Sequence, residues 1–152
     1  AWVRVDGLER KFSSILLTDG WDAGEMHWQF RPAGTVGIGL HGEKRGRDYV
    51  TPPVVDPGRF GRWFHLASVI DLAEKRVAHF VDGQLISSHQ MQDPPLALRF
   101  GSAAIGNWDQ PRRGDQTPIR NLNGRLAELI VFKVALSNEE IARISLRDPL
   151  PE

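Results

Sequence analysis

Short segments in which hydrophobic and polar positions alternate run through most of the chain. Between residues 25 and 30, Met26, Trp28 and Phe30 alternate with polar residues, which predicts a strand with one buried face and one solvated polar face. Further apolar or alternating segments predict strands at 1–5, 12–18, 36–40, 63–70, 76–81, 96–100, 103–106 and 124–134, with an edge strand at 49–51. Many short strands separated by turns are typical of an all-β, two-sheet antiparallel sandwich or jelly roll.

A two-residue hairpin is predicted at residues 82–83, where Asp-Gly separates two strand-like segments. A type I′ turn requires positive φ at both central positions, and this dipeptide tolerates it. The turn would place Phe80 opposite Leu85 on one face, and His79 opposite Ile86 on the other.

One face of the predicted strand at 36–40 consists largely of glycine. Val36, Ile38 and Leu40 alternate with Gly37 and Gly39, so this face has almost no side chains. Glycine within a strand often marks a place where another group approaches the backbone closely. We therefore predict that a second layer or a flat group covers this face.

A single short helix is predicted near the C-terminus. Ser137 precedes Glu140 by three residues, which is the pattern of a capping box that begins a helix. Ile141 and Ile144 give this helix an apolar side, and Pro149 is expected to stop it.

Composition narrows the possible classes of function. Lysine plus arginine equals aspartate plus glutamate at 19 each, so the chain lacks the positive surplus needed for nucleic-acid binding or for binding an anionic membrane. No apolar run approaches the ~18 residues of a membrane-spanning helix. The chain has no cysteine, which excludes disulfides and thiolate metal sites. Its 152 residues fit one domain.

The chain begins inside a predicted strand, at Ala1-Trp2-Val3, without an initiator methionine. We therefore expect a piece of a larger protein, in which residues 1–152 form one domain that lacks its first strand or strands. Missing strands would leave a sheet edge and part of the core uncovered, and other domains of the parent chain would be partners.

Several groups of residues occur in a recognisable order: Trp63-Phe-His-Leu-Ala, Asp71, Phe80-Val-Asp-Gly83, Ile105-Gly106, Asn123-Gly-Arg-Leu-Ala-Glu128 and Ala135-Leu-Ser-Asn-Glu-Glu-Ile141. This order resembles the laminin-G-like, concanavalin A-like jelly-roll domains. The resemblance covers nearly the whole chain and is strongest from Trp63 onward. One departure is that the family often has an acidic pair before its final strand, whereas here Ala127 takes the first position and only Glu128 remains.

The resemblance implies a non-catalytic recognition module in a larger extracellular, periplasmic or cell-surface protein. Related domains bind glycans or proteins, some of them through calcium held in loops at the rim of the sandwich. Such a module would contact a glycan or a surface protein, and it would not insert into a membrane.

Two loops contain oxygen ligands of the kind that calcium prefers. Asp19 and Asp22 follow a predicted strand, and Asn107, Asp109 and Asp115 lie in the loop before the last strand. We predict a calcium site if the two loops meet at one rim, although Asp and Asn are also common in turns that bind nothing.

A sugar site needs an exposed aromatic face beside polar groups. Trp21 and Trp108 each sit among turn residues, which makes them the candidates for stacking on a ligand. Arg112 and Arg113 flank the second of these loops and could contact acidic sugars or a protein carboxylate. The other tryptophans are expected to pack in the core: Trp2, Trp28 and Trp63.

Two further patterns point to weaker possibilities. The tripeptide Arg113-Gly114-Asp115 spells an integrin-attachment sequence that also recurs by chance in unrelated proteins. The five histidines have no metal-ligand spacing, which argues against zinc.

Three functions are compatible with the sequence. The first is a carbohydrate-binding module, and the second is a structural or protein–protein spacer domain that packs through an open sheet edge. The third and weakest is a glycoside hydrolase acting through Glu25 with His27 on the same face. The paired carboxylates that glycosidases of this fold use on one strand are not found in the sequence.

Overall fold

A computed structural model describes residues 1–107 and 120–147. In these residues it contains strands β1 (Trp2–Gly7), β2 (Ser13–Thr18), β3 (Met26–Phe30), β4 (Val36–His41), β5 (Gly46–Val50), β6 (Trp63–Asp71), β7 (Arg76–Val81), β8 (Gln84–Gln90), β9 (Ala103–Ile105) and β10 (Asn123–Ala127). A 3₁₀ turn at Pro57–Arg59 precedes β6, and helix α1 (Asn138–Ser145) follows β10. No helix in the described parts is both long enough and apolar enough to cross a membrane.

The strands form two antiparallel five-stranded sheets. Sheet I has the order β10-β1-β6-β7-β8, and sheet II has the order β5-β4-β3-β2-β9. The predicted all-β, two-sheet antiparallel sandwich with one short C-terminal helix is confirmed.

The hydrophobic core lies between the two sheets. Val3 and Val5 of β1 point inward and are fully buried, while Phe30 of sheet II contacts Phe64 of sheet I edge-to-face with ring centroids 6.4 Å apart. Full burial of such a side chain contributes about 1.5–3 kcal/mol. The alternating pattern therefore places one face of each sheet in the core and leaves the other face to form surface sites.

A buried histidine also joins the sheets. The Nε2 of His79 in β7 lies 3.0 Å from the backbone oxygen of Tyr49 in β5, and its Nδ1 lies 2.8 Å from the Ser68 hydroxyl. A carbonyl oxygen only accepts, so Nε2 carries the proton and Nδ1 accepts from Ser68. Burial lowers the pKa of His79 to about 4, because the charged form loses hydration. The imidazole is therefore neutral at pH 7.

The hairpin at 82–83 forms as predicted, with φ of 49° at Asp82 and 77° at Gly83. Phe80 pairs with Leu85, which confirms that part of the register. A bulge between His79 and Phe80 shifts the ladder, so Ser87 and not Ile86 lies opposite His79, and that prediction is wrong.

Three predicted strands differ from the structure. The final strand was predicted to continue to Val134, but β10 ends at Ala127 because Glu128 adopts a positive φ of 51°, which breaks the extended backbone. Residues 96–100 form no strand. The edge strand at 49–51 is instead Gly46–Val50.

Helix α1 begins with the predicted capping box. The Ser137 hydroxyl accepts from the Glu140 N–H, and the Glu140 carboxylate accepts from the Ser137 N–H. Ile141 is buried against the outer face of sheet I, in a cluster with Val69, Ala78 and Phe80. The helix ends at Ser145, earlier than the stop expected from Pro149, which lies outside the described residues.

Candidate functional site

The outer face of sheet II is covered, although the sequence pattern predicted a solvated polar face there. His27 and Gln29 alternate with the core residues of β3, so they point away from the core. Their exposed fractions are nevertheless only 7% and 5%. Trp21 lies against His27, and Arg120 donates to the Oε1 of Gln29 over 3.2 Å. A loop and a distant arginine therefore bury the polar side of the strand.

Trp21 is the flat group that covers the glycine face. A Cβ added to Gly39 would lie 3.0 Å from Cη2 of the indole, and one added to Gly46 would lie 2.5 Å from Cζ2. Any side chain at these positions would push the ring outward. The prediction that a flat group covers this face is confirmed, and the covering residue is one of the two tryptophans selected as sugar-stacking candidates.

Two histidines flank the indole. The Trp21 ring centroid is 4.6 Å from that of His27 with the planes tilted by 41°, and 5.7 Å from that of His41 at 87°. Burial and, to a smaller degree, the charge of Arg120 lower the pKa of His27 to about 4. At neutral pH the indole therefore packs on an uncharged imidazole, and it stays half-buried itself.

The loop that carries Trp21 is closed by Glu25. Its carboxylate accepts from the Asp22 N–H over 2.6 Å, and its own N–H donates to the Asp22 carbonyl over 3.0 Å. Gly24, at a φ of 91°, donates to the His41 carbonyl over 2.8 Å and so ties the loop to β4. Glu25 thus holds the position of Trp21, a role that the sequence did not reveal.

Beside this indole, three cations surround one aromatic ring. Lys11 Nζ lies 5.6 Å from the ring centroid of Phe12, and the guanidinium carbons of Arg31 and Arg120 lie at 5.7 Å and 4.7 Å. Cations within about 6 Å of a ring centroid are attracted by its quadrupole. We call these four residues the Phe12 cluster.

Asp48 connects the Phe12 cluster with Trp21. Its carboxylate forms an ion pair with Arg31 at 2.7 Å, and its Oδ1 borders Gly39 on the same side as the indole. The side chain of Asp48 is 51% exposed, while that of Arg31 is 30% exposed. An aromatic face, an acceptor and a donor therefore lie side by side on the outer face of sheet II.

Sequence reasoning did not select Lys11, Arg31, Asp48 or Arg120. These residues belong to separate segments, and only strand pairing in sheet II brings them together. The sequence did contain one indication of this site. Arg31 follows β3 in the same alternation as His27 and Gln29, which places it on the same face of the sheet.

Of the predicted calcium ligands, Asp19, Asp22 and Asn107 lie in the described residues. Asp19 follows β2 and donates its N–H to Ser102, whereas Asn107 comes just after Gly106, whose N–H bonds to the Ile15 carbonyl. The first contact lies just past the last residue of β2 and the second lies at its third residue, so neither places Asp19 beside Asn107. Among residues 1–107 and 120–147, no group of three or more histidine and carboxylate side chains is arranged to hold a metal ion.

Several predicted residues lie outside the described parts of the chain, and their roles stay predictions. They are Trp108, Asp109, Arg112, Arg113 and Asp115, which include the integrin-type tripeptide.

Of the three tryptophans expected in the core, only Trp28 is there, with 7% exposure. Trp2 and Trp63 are half-buried on the outer face of sheet I, so that part of the prediction is wrong. Trp2 contacts His65 at 5.6 Å, and Trp63 lines a shallow 460 Å³ pocket beside Arg59. In β6 it is Phe64 and Leu66 that face the core.

Comparison with known proteins agrees with this architecture. A laminin G family model, described as the concanavalin A-like lectin/glucanases superfamily, matches residues 1–142. A search of curated proteins found no significant match.

Among solved structures, the CBM40 of the Ruminococcus gnavus IT-sialidase bound to α2,3-sialyllactose is similar, with a TM-score of 0.67 and 17% identity over 95% of this chain and 79% of that one. The heptameric SAP-like pentraxin of Limulus polyphemus is similar with a TM-score of 0.65 and 16% identity, over 95% of this chain and 66% of that one. At such identities the likeness is one of fold. Together with the two-sheet architecture, the family match over residues 1–142 shows that the chain belongs to the concanavalin A-like lectin/glucanases superfamily.

Proposed function

We propose that this chain is a non-catalytic carbohydrate-binding module of a larger extracellular or surface protein. Its ligand would bind on the outer face of sheet II, on a site formed by Trp21, Asp48, Arg31 and the rest of the Phe12 cluster. The observation that carries the proposal is the indole of Trp21, which lies on a glycine floor next to an exposed ion pair.

The chemistry of these groups suits a sugar. A half-buried indole offers an apolar surface to the C–H face of a pyranose ring, and its position is fixed by Gly39 and Gly46 beneath it. Asp48 accepts hydrogen bonds from hydroxyl groups, and Arg31 donates to ring or hydroxyl oxygens. A few polar groups placed around an apolar surface are typical of small-molecule sites.

The charge of the site favours acidic sugars. The three cations of the Phe12 cluster gather around one ring, and among them Arg31 forms an ion pair with Asp48. A guanidinium matches the planar geometry of a carboxylate and can bind it through two hydrogen bonds. The R. gnavus CBM40 of the same fold is bound to α2,3-sialyllactose, which supports a sialylated or otherwise carboxylated glycan as the ligand class.

The way the carboxylates are used supports binding without catalysis. A glycosidase needs two carboxyl groups on either side of the scissile bond. Here Glu25 closes a loop through the Asp22 N–H, and Asp48 is paired with Arg31. Both carboxylates therefore already have structural partners.

Isothermal titration calorimetry with 3′-sialyllactose and lactose tests the proposal. We expect 3′-sialyllactose to bind at least about tenfold more tightly, since a charge-assisted hydrogen bond contributes roughly 1.5–3 kcal/mol. Trp21→Ala should abolish binding of both sugars, and Arg31→Gln should remove the preference for the acidic one. Repeating the titration with added calcium tests the predicted calcium ligands separately.

Matched controls are available on sheet I. Trp63→Ala removes another half-buried tryptophan, and Lys75→Gln removes a cation from the turn between β6 and β7. Both should bind as the unaltered chain does. Wild-type affinity in folded Trp21→Ala, or no binding to any sugar on a glycan array, would refute the proposed site.

A further inference from the structure

Four positions on the outer face of sheet II form one cell of the β4–β5 ladder around the Trp21 indole. Gly39 pairs with Asp48, and His41 pairs with Gly46. The indole covers the two glycines, which lie on one diagonal of this cell. His41 and Asp48 occupy the other diagonal, and neighbours of this kind are about 7–8 Å apart. Two polar side chains therefore lie on opposite sides of the indole.

His41 lies beside the indole and is tied to the loop that carries it. The two ring centroids are 5.7 Å apart and the ring planes meet at 87°, so the imidazole does not stack on the indole. The backbone N–H of His41 donates to the Glu25 carbonyl over 3.0 Å, and its carbonyl accepts from the Gly24 N–H over 2.8 Å. These bonds fix the half-buried imidazole relative to Trp21.

The tautomer of His41 leaves one ring nitrogen available to a ligand. Its Nδ1 lies 2.7 Å from the Gly42 carbonyl oxygen. A carbonyl oxygen only accepts, so in the neutral ring Nδ1 carries the proton and Nε2 is an acceptor. Nε2 is open to solvent and bonds to no group in residues 1–107 and 120–147. The imidazole therefore offers a hydrogen-bond acceptor next to the indole.

The carbonyl that sets this tautomer belongs to a fixed turn. The Gly42 N–H donates to the Arg45 carbonyl over 3.0 Å. The N–H groups of Lys44 and Arg45 donate to the Oδ2 of Asp93 over 2.9 and 3.1 Å. Because the hydrogen bond at one ring nitrogen decides which nitrogen is protonated, the fixed turn also fixes the direction of the Nε2 acceptor.

The polar groups around the indole differ from those of the Phe12 cluster. Beside Trp21, the His41 nitrogen and the Asp48 carboxylate both accept hydrogen bonds. The cations gather around Phe12, and Arg31 joins the two areas through its ion pair with Asp48. Hydroxyl groups donate to such acceptors, whereas Asp48 would repel a carboxylate placed next to it. A neutral sugar therefore suits the indole, and an acidic sugar suits the Phe12 cluster.

We propose that the site orders its ligand: a neutral hexose lies on Trp21 and donates one hydroxyl to the Nε2 of His41, while the acidic sugar linked to it lies over the Phe12 cluster. This inference rests on the proposed glycan-binding function and makes His41 the residue that selects the neutral sugar. In 3′-sialyllactose, galactose takes the Trp21 position. A site that bonds a hydroxyl discriminates against an analogue that lacks it, because the polar group of the site then loses its partner.

Calorimetry with 3′-sialyllactose and its analogues lacking the galactose 2-, 4- or 6-hydroxyl tests the assignment. His41→Phe keeps a ring beside the indole and removes the acceptor, and His89→Gln changes another half-buried histidine, on β8, as the matched control. In the unaltered chain and the control, we expect one analogue to bind about three- to tenfold more weakly than 3′-sialyllactose through loss of the bond to His41. His41→Phe should weaken 3′-sialyllactose by the same factor and remove the penalty for that analogue alone.

A measurement on the unaltered chain gives an independent test. The Nε2 nitrogen resonance of His41 should shift when 3′-sialyllactose binds and should not shift with the one analogue that lacks the bonded hydroxyl. The assignment is overturned if this resonance stays unmoved at saturation, or if His41→Phe weakens all four ligands by one factor and keeps every penalty. Failure of the unaltered chain to bind 3′-sialyllactose would refute the glycan proposal itself, whereas binding without coupling to His41 would refute only this assignment.

Discussion

The buried imidazole of His79 should make stability depend on pH. Its Nε2 donates to the Tyr49 carbonyl and its Nδ1 accepts from Ser68, an arrangement that needs the neutral ring. Burial lowers its pKa from 6.5 to about 4, so below pH 6.5 the unfolded chain binds a proton that the folded chain does not. The stabilisation is fully present above pH 6.5 and is lost as the pH falls towards 4.

The size of this effect follows from linkage. A pH of 5 lies about 1.5 units below the pKa of the imidazole in the unfolded chain, whereas the folded imidazole is still mostly neutral at this pH. Each unit of this difference is equivalent to about 1.36 kcal/mol. His79 alone should therefore lower the free energy of unfolding by about 2 kcal/mol between pH 7 and pH 5. His27 and His65, whose pKa values burial also lowers to about 4, act in the same direction.

The comparison that isolates His79 uses His79→Gln. Glutamine keeps an N–H donor for the Tyr49 carbonyl but does not titrate. Urea unfolding followed by tryptophan fluorescence at pH 7 and pH 5 gives the loss of free energy in each protein. We expect the variant to be less stable at pH 7 but to lose about 2 kcal/mol less on acidification, because His27 and His65 contribute equally to both. Equal losses in the two proteins would refute the role given to His79.

Two further substitutions test local features of the fold by the same urea assay. Ser137→Ala removes the helix cap and should lower the free energy of unfolding by about 1 kcal/mol. Glu139→Gln, in the same exposed turn, should change the free energy of unfolding little. Equal effects of the two substitutions would show that the capping box does not stabilise α1. Gly34→Ala forces a side chain at a φ of 74° against the Val55 carbonyl and should cost at least about 2 kcal/mol. Gly101→Ala, with open space around it, should stay within about 0.5 kcal/mol of the parent chain, and similar stability of both alanine variants would contradict the strained-turn argument.

Local sequence determined the features that depend on local chemistry. The strand at Met26–Phe30, the turn at 82–83 and the capping box at Ser137 follow from side-chain alternation, backbone preferences and a short hydrogen-bonded motif. The ordered motifs from Trp63 onward also carry the family resemblance, which the family model confirms over residues 1–142.

Tertiary structure decided the features that depend on distant neighbours. Residues 128–134 have a strand pattern, but β10 stops at Ala127 because Glu128 adopts a positive φ of 51°, which the alternation of side chains does not reveal. The sequence pattern predicted a solvated His27 because alternation indicates only on which face of the sheet a side chain lies. Whether that face is buried depends on which other segments cover it. Trp21 was selected from sequence as a sugar-stacking residue, yet its glycine floor and the adjacent Phe12 cluster exist only because sheet II brings separate segments together.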